Sequence, residues 1–314
     1  MPAYNAEPHL EQAIQSVLAQ TLNDFEMIIV DDGSTDRTPE ILAGLASRDA
    51  RVKPHRLTKN LGIVAALNEG IRLASGKYIA RMDADDFIPT YRFEKQIAFL
   101  QANPHIEVVS GAYELVDLEG RSLNRVINQY YKSPDIVRWG LYFGTPICHS
   151  AAMFLANVIR QAGCYRLEYQ YVEDYDLFIR ISKIAQLASL PDTLFYYRKG
   201  SEDSISNTKE KEQLHRGALL RQQLIFESLQ KELPLNVCVF LNHPSLADPE
   251  RSSDVLMACE TILALYWHTL RRTPQMSIAD RNLIRVSVNR RIRALLSVLP
   301  SRQWLWRMRL HFLR

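Results

Sequence analysis

Three clusters of carboxylates mark this sequence: Asp31-Asp32-Gly33, Asp83-Ala84-Asp85-Asp86 and Glu173-Asp174-Tyr175-Asp176. Carboxylates at D-x-D spacing offer hard oxygen ligands to a divalent cation such as Mg²⁺ or Mn²⁺. A carboxylate set apart from them can take a proton as a general base. Each cluster also has a plainer reading. Asp83 to Asp86 could be a solvated acidic turn, Asp31 to Ser34 a turn that caps the next helix, and Glu173-Asp174 two acids at the positive end of a helix dipole. Placement favours chemistry for the first two. Each follows a short apolar run, Ile28-Ile29-Val30 or Tyr78-Ile79-Ala80, so two loops deliver carboxylates to one rim.

The elements that must hold those loops alternate between helix and strand. Leu10, Ala13, Ile14, Val17 and Leu18 share a helical face, and Phe25 to Val30 reads as a strand. Thr38-Pro39 opens a second helix with Ile41, Leu42 and Leu45 inward, and a strand follows around Arg51 to Leu57. Ile63, Leu67, Ile71 and Ala74 form a third helical face closed by Gly76, before the strand Lys77 to Met82. This alternation predicts an α/β fold with a mostly parallel sheet covered on both faces, whose ligands bind beyond the carboxyl ends of the strands. Short strands follow from Ile106 to Val126, with a helix from Ser133-Pro134 to Trp139 and a strand at Ala151 to Leu155. A helix over Asp174 to Ile184 sets Glu173-Asp174 at its N-terminal end. Beyond about residue 208 the chain reads as helical.

Composition fits a globular protein, with 47% hydrophobic and 23% charged residues over 314 positions. Cys148, Cys164, Cys238 and Cys259 show neither metal-ligand spacing nor a disulfide framework, which points to a reducing cytoplasm. The net charge of +3 hides an asymmetry: residues 251–314 hold twelve arginines against three acids, a balance of +9, leaving −6 for the first 250. Nucleic acid is not expected as a partner, because no recognised motif accompanies the basic region.

The ordered set Pro2-Ala3-Tyr4-Asn5-Ala6-Glu7, Val30-Asp31-Asp32-Gly33-Ser34-Thr35-Asp36, Asn60-Leu61-Gly62, Ala66-Leu67-Asn68-Glu69-Gly70, Asp83-Ala84-Asp85-Asp86, Pro146-Ile147-Cys148-His149-Ser150 and Glu173-Asp174-Tyr175-Asp176 resembles the signatures of family 2 glycosyltransferases. The resemblance covers residues 1 to about 206. It implies a GT-A, nucleotide-diphospho-sugar transferase fold over 1–206, with a helical basic region over 207–314. It also implies a bacterial polysaccharide or glycolipid enzyme that transfers a sugar with inversion. A sugar nucleotide leaves as a diphosphate, whose developing charge a divalent cation neutralises. By the resemblance Asp85 holds Mn²⁺ or Mg²⁺, Asp83 serves the ribose or the metal shell, and Asp32 accepts from the base N3–H, which favours UDP. Pro2, Ala3, Tyr4, Glu7, Asn60 and Asn68 belong to the nucleotide-binding set. Asp174 is the base, Glu173 supports it, and His149 lies near the diphosphate or acceptor.

Two departures stand out. Family members carry an apolar strand just before the Pro-x-Tyr-Asn segment, and here Met1 precedes Pro2, so the first strand is expected to be missing and Met1 to be an internal methionine. Relatives also carry a His shortly after Tyr-Arg, whereas this chain has Tyr197-Arg198-Lys199-Gly200-Ser201; Lys199 or water would take its place. Residues 301–314 mix Trp304, Trp306, Leu310 and Phe312 with four arginines, a composition that suits an interfacial helix on anionic lipid. The expected setting is therefore cytoplasmic, at the inner face of the plasma membrane, with a glycan or lipid-linked acceptor. The rival readings are a non-catalytic nucleotide-sugar-binding or scaffold protein of the same fold and, further off, a nucleotidyltransferase.

Overall fold

A computed structural model of the chain describes residues 1–128, 130, 132–200, 208–247 and 250–299. Residues 301–314, where an interfacial helix is expected, lie outside these. The chain divides into two compact units: residues 1–134 with 147–208, and residues 135–146 with 209–314.

In the first unit β1 (Pro2–Ala3), β2 (Met27–Asp31) and β3 (Val52–Arg56) form a parallel sheet in that order, with Pro2 opposite Val30 and Met27 opposite Val52. The crossovers are α1 (Leu10–Leu18) and α2 (Thr38–Ala46), and α3 (Ile63–Leu73) leads on to β4 (Tyr78–Ala80). In α1 the buried residues are Leu10, Ala13, Ile14 and Val17, the stripe expected of a helix lying on a sheet. In α3 the buried face is Val64, Ala66, Leu67 and Ile71. After α4 (Arg92–Ala102) come β5 (Val108–Val116) and β6 (Ser122–Ile127), then α5 (Pro134–Leu141), β7 (Met153–Leu155), α6 (Ala156–Gln161), α7 (Glu173–Ile181) and β8 (Leu187–Arg198). The strands β4, β7, β5 and β6 pair antiparallel in that order, and β8 joins β5 in parallel. The parallel architecture read from the sequence thus describes the first three strands, and the second sheet is mixed.

Pro2 and Ala3 pair with β2 as a two-residue strand, and among the described residues no apolar strand precedes them. The Met1 nitrogen donates to the Ile28 carbonyl at 2.9 Å, Val30 N–H to Met1 O at 2.9 Å, and Asp32 N–H to Ala3 O at 2.8 Å. Ladder bonds of this kind satisfy backbone groups that the loss of the strand would have left bare. The anchor for the Tyr4 loop is therefore present. Between β2 and β4 lies a cavity of about 620 Å³, lined by Met27, Ile28, Ile71, Tyr78, Ile79 and Phe154 among others.

Among the described residues the second unit contains most of α5 together with α8 (Glu210–Leu229), α9 (Leu235–Asn242), α10 (Ser252–Arg272) and α11 (Ile278–Leu296). Its core gathers Trp139, Phe143, Ile225, Val237, Leu241, Ile262, Leu265, Ile284 and Val288. Among the described residues no helix is long and apolar enough to cross a membrane.

Candidate active site

The loop after β2 is shaped by hydrogen bonds that its own sequence supplies. Asp31 accepts from Ser34 N–H at 2.9 Å, while Asp32 takes Leu61 N–H on one oxygen and Gly62 N–H on the other, both at 2.8 Å. Asp32 is thereby fixed, 4% exposed, as a clamp on the Asn60-Leu61-Gly62 turn. Gly33 has φ +73°, and a Cβ there would stand 2.7 Å from the Lys59 carbonyl carbon, so only glycine fits the closure. Asn60 caps its own turn, its Oδ1 accepting from Gly62 N–H at 3.0 Å. The loop after β1 is stitched to the same place: Asn5 N–H donates to Ser34 Oγ at 2.9 Å, Glu7 N–H to Asp36 at 3.0 Å, and Glu7 accepts from Arg37 N–H at 3.1 Å. Pro2 and Ala3 lie in β1, and Tyr4 stands 48% exposed beside this loop.

Asn68 sits on α3 and brackets Tyr165, donating to its carbonyl at 2.8 Å and accepting from its N–H at 2.9 Å. The Tyr165 hydroxyl in turn lies 2.6 Å from His149 Nε2. Burial, aided by the charge of Arg81, keeps the His149 ring neutral. The structure thus places Asn68 and His149 in one buried bracket around Tyr165.

The acidic loop after β4 is held by two buried arginines that the sequence reading passed over. Arg81, 8% exposed, hydrogen-bonds to both Asp83 and Ser150, and the Ser150 hydroxyl donates to Asp83. Arg198, at the end of β8, donates its backbone N–H to Asp86 at 2.6 Å and its Nε to the Asp85 carbonyl at 2.8 Å, while its far nitrogen reaches Gln12 Oε1 at 2.6 Å. The next residue, Lys199, has an exposed side chain, and its backbone N–H donates to Val116 O at 2.8 Å.

Glu173 and Asp174 open α7, where Tyr175 N–H donates to Asp174 at 2.7 Å. The first turn is braced at Asp176, 1% exposed, which is gripped by Arg166 at 3.1 Å and by Arg180 at 3.0 Å. Asp174 shares an electrostatic neighbourhood with Arg81 and Asp83, although the two loops are about ninety residues apart in sequence.

Burial is the largest cause of every carboxyl shift here. It raises Asp85 to about 6, with the charge of Asp83 adding to it, and Glu173 to about 7, with Asp174 adding to it. Asp86 and Asp174 are raised as well. Five carboxyls thus face two arginines across this region, an excess of negative charge that a dication would relieve. The donors are all hard oxygens, which suits Mg²⁺ or Mn²⁺. Among the described residues no three His, Cys, Asp or Glu side chains converge to hold an ion unaided. A metal here would therefore take one or two carboxylates and complete its shell with diphosphate oxygens and water, the usual habit of magnesium.

The raised Glu173 makes a stability prediction with a definite sign. Between the ordinary glutamate value of 4.5 and about 7 the folded chain keeps a proton that the unfolded chain has released, so stability falls as pH rises through that window. The loss, complete above it, is about 3 kcal/mol at most. In Glu173→Gln the constant cost of placing an amide is the same at both pH values, so the comparison between them isolates the charge. The melting temperature of the variant relative to the wild type is expected to be several degrees more favourable at pH 8 than at pH 5. Parallel melting curves at the two pH values check this, and an offset that does not change with pH would remove Glu173 from the strained set.

The acidic rim lies at the carboxyl ends of β2, in the parallel sheet, and β4, in the mixed one, and the fold that carries it is an α/β fold of the GT-A type. The chain belongs to glycosyl transferase family 2, whose family model matches residues 1–163, just over half of the 314. Among curated relatives, an uncharacterized glycosyltransferase of Haemophilus influenzae is 34% identical over 206 residues, covering 62% of this chain and 63% of its own length. The amylovoran biosynthesis glycosyltransferase AmsE of Erwinia amylovora is 35% identical over 205 residues, covering 63% of this chain and 74% of its own length. Of solved structures, Staphylococcus aureus TarS 1–349 in complex with UDP-GlcNAc aligns with a TM-score of 0.59 at 18% identity, over 95% of this chain and 88% of that one. The mannosyltransferase PcManGT of Pyrobaculum calidifontis, with GDP-Man and Mn²⁺, aligns at 0.54 and 18% identity, over 94% and 84%. At these identities the structures share the fold. The chain spans less than two thirds of the length of the first Haemophilus relative.

Proposed function

We propose that this protein is a metal-dependent, inverting glycosyltransferase that moves a sugar from a UDP-sugar to an acceptor hydroxyl in polysaccharide or glycolipid assembly. The observation that carries the reading is the electrostatic coupling of Asp174, a carboxylate on a separate helix, with Arg81 and Asp83 of the acidic loop. AmsE by its name belongs to polysaccharide synthesis, and TarS binds UDP-GlcNAc, which support the acceptor class and the carrier; PcManGT, with GDP-Man, shows that the fold also takes another base.

Asp85, with Asp83 beside it, would hold the cation, which when bound neutralises charge on the diphosphate. Asp32 and the Tyr4 loop would seat the base, and Asp83 the ribose. Asp174 would take the proton of the acceptor hydroxyl as its oxygen attacks the anomeric carbon, while the bond from that carbon to the diphosphate breaks on the opposite face and UDP departs. Its raised affinity for protons suits a base that must first collect one and then release it. The acceptor would be a glycan or a lipid-linked glycan, reached at the cytoplasmic face of a membrane.

The test is nucleotide release and sugar transfer across UDP-, GDP- and dTDP-sugars with Mn²⁺ or Mg²⁺. Metal-dependent release of UDP from one donor class is the expected result. Metal-dependent nucleotide binding with no turnover on any donor would overturn catalysis and leave a binding module.

A further inference from the structure

We propose that the outer face of α11, with the end of α10 beside it, is a docking surface for an anionic lipid bilayer. Residues 261–299 contain seven arginines and a single acid, Asp280. Arg281 and Arg291 are spent on the fold, the first donating to the Met276 and Pro274 carbonyls and the second to the Leu241 carbonyl. Arg285, Arg290 and Arg293 are exposed, and no hydrogen bond or ion pair engages their side chains among the described residues. Between them stand apolar side chains that the core does not use: Ile278 is 79% exposed, Val286 62% and Leu283 52%. At 100° per residue all six fall on one arc of α11, opposite the buried Ile284, Val288, Ile292 and Leu295. Trp267 on α10 is 51% exposed. The two helices pack against each other across the short turn at 273–277, so Trp267 and Leu283, each eight residues from its middle, lie at about the same height.

The mixture selects the partner. Arginines with no acidic neighbours fit a negatively charged surface, and three aliphatic side chains and a tryptophan among them fit the boundary between head groups and acyl chains. Nucleic acid would match the charge and leave the aliphatic side chains without a partner. A second copy docked by a twofold axis would set this face against itself and bring arginine onto arginine. The surface is independent of the transferase reading, since vesicle binding needs no substrate.

Full-length protein is to be sedimented with vesicles of phosphatidylcholine alone and with about 30 mol % phosphatidylglycerol. Binding is expected to the anionic vesicles only, and to fall steeply between about 0.1 and 0.5 M salt. Arg285→Gln with Arg290→Gln should weaken it about thirtyfold, roughly fivefold for each arginine. Ile278→Ser with Val286→Ser should weaken it at unchanged net charge. Both pairs are solvent-facing, and their melting temperatures will confirm that the fold is kept. Equal binding by wild type and both variants would overturn the proposal and transfer any affinity to another surface, residues 301–314 included. Duplex DNA binding in preference to anionic vesicles would overturn it equally.

Discussion

Asp174→Asn is expected to lose sugar transfer by about a thousandfold while still binding the nucleotide. The substitution keeps the shape of the side chain and its acceptance of the Tyr175 N–H, seen at 2.7 Å, because the amide oxygen can take that bond. What it removes is the ability to receive a proton, which general-base catalysis turns into a factor of roughly 10² to 10⁴. The affinity for UDP should change little, since the proposed nucleotide contacts lie on other loops. The wild-type rate carries a linked signature. Burial raises the Asp174 carboxyl above its ordinary value of 3.8, so its ionised, active form is depleted at a higher pH than for an exposed aspartate. Activity should therefore fall on the acid side well before an ordinary aspartate would protonate. Initial rates against pH, with nucleotide affinity measured alongside, separate the cases. If the Asn variant kept its transfer rate and lost its affinity for UDP, Asp174 would be a binding residue.

Some of this site could be read from the chain because its causes are local. An apolar run followed by acids and glycine gives a strand and a turn, and β2 with its Asp31-Asp32-Gly33 loop follows that rule closely. The helix at Glu173 was legible for the same reason, since Leu177, Phe178 and Ile181 repeat at helical spacing. The buried arginines were not legible. Arg81 owes its place to Ser150, 69 residues away, and Arg198 to Gln12, 186 residues away, and periodicity carries no information about either partner. A cue was nonetheless present, because an arginine beside an apolar strand needs a carboxylate within reach, and Asp83 stands two residues further on. The mixed second sheet was hidden by the same non-locality: β5 pairs with β6, β7 and β8, and the alternation of elements does not specify which strands meet. The pairing of Pro2–Ala3 with β2 was not legible either, because two residues make too short a run to register as a strand, although three ladder bonds hold them.

Asp85→Ala is the second large effect, and it should separate metal from base. Asp85 has a solvent-accessible side chain, yet the protein packed around it and the charge of Asp83 beside it raise its carboxyl to about 6, so at neutral pH the folded chain bears a charge that it holds at a cost. A dication binding there would offset that cost. Removing the carboxylate is expected to weaken Mn²⁺ binding by at least tenfold and to lower UDP release by about a thousandfold, consistent with the several kcal/mol that a cation contributes to a developing negative charge. The apo protein should behave in the opposite way. With one repelling charge gone from beside Asp83 and Asp86, the variant should melt no lower than the wild type at pH 8, because Arg198 grips the loop through the Asp85 backbone carbonyl and through Asp86, and neither contact uses the deleted side chain. Calorimetric titration with Mn²⁺, melting curves without metal and UDP release form one experiment. Lost release with retained Mn²⁺ affinity would move the ligand role from Asp85 to Asp83. Loss of all three together would mean that Asp85 holds the loop rather than the ion.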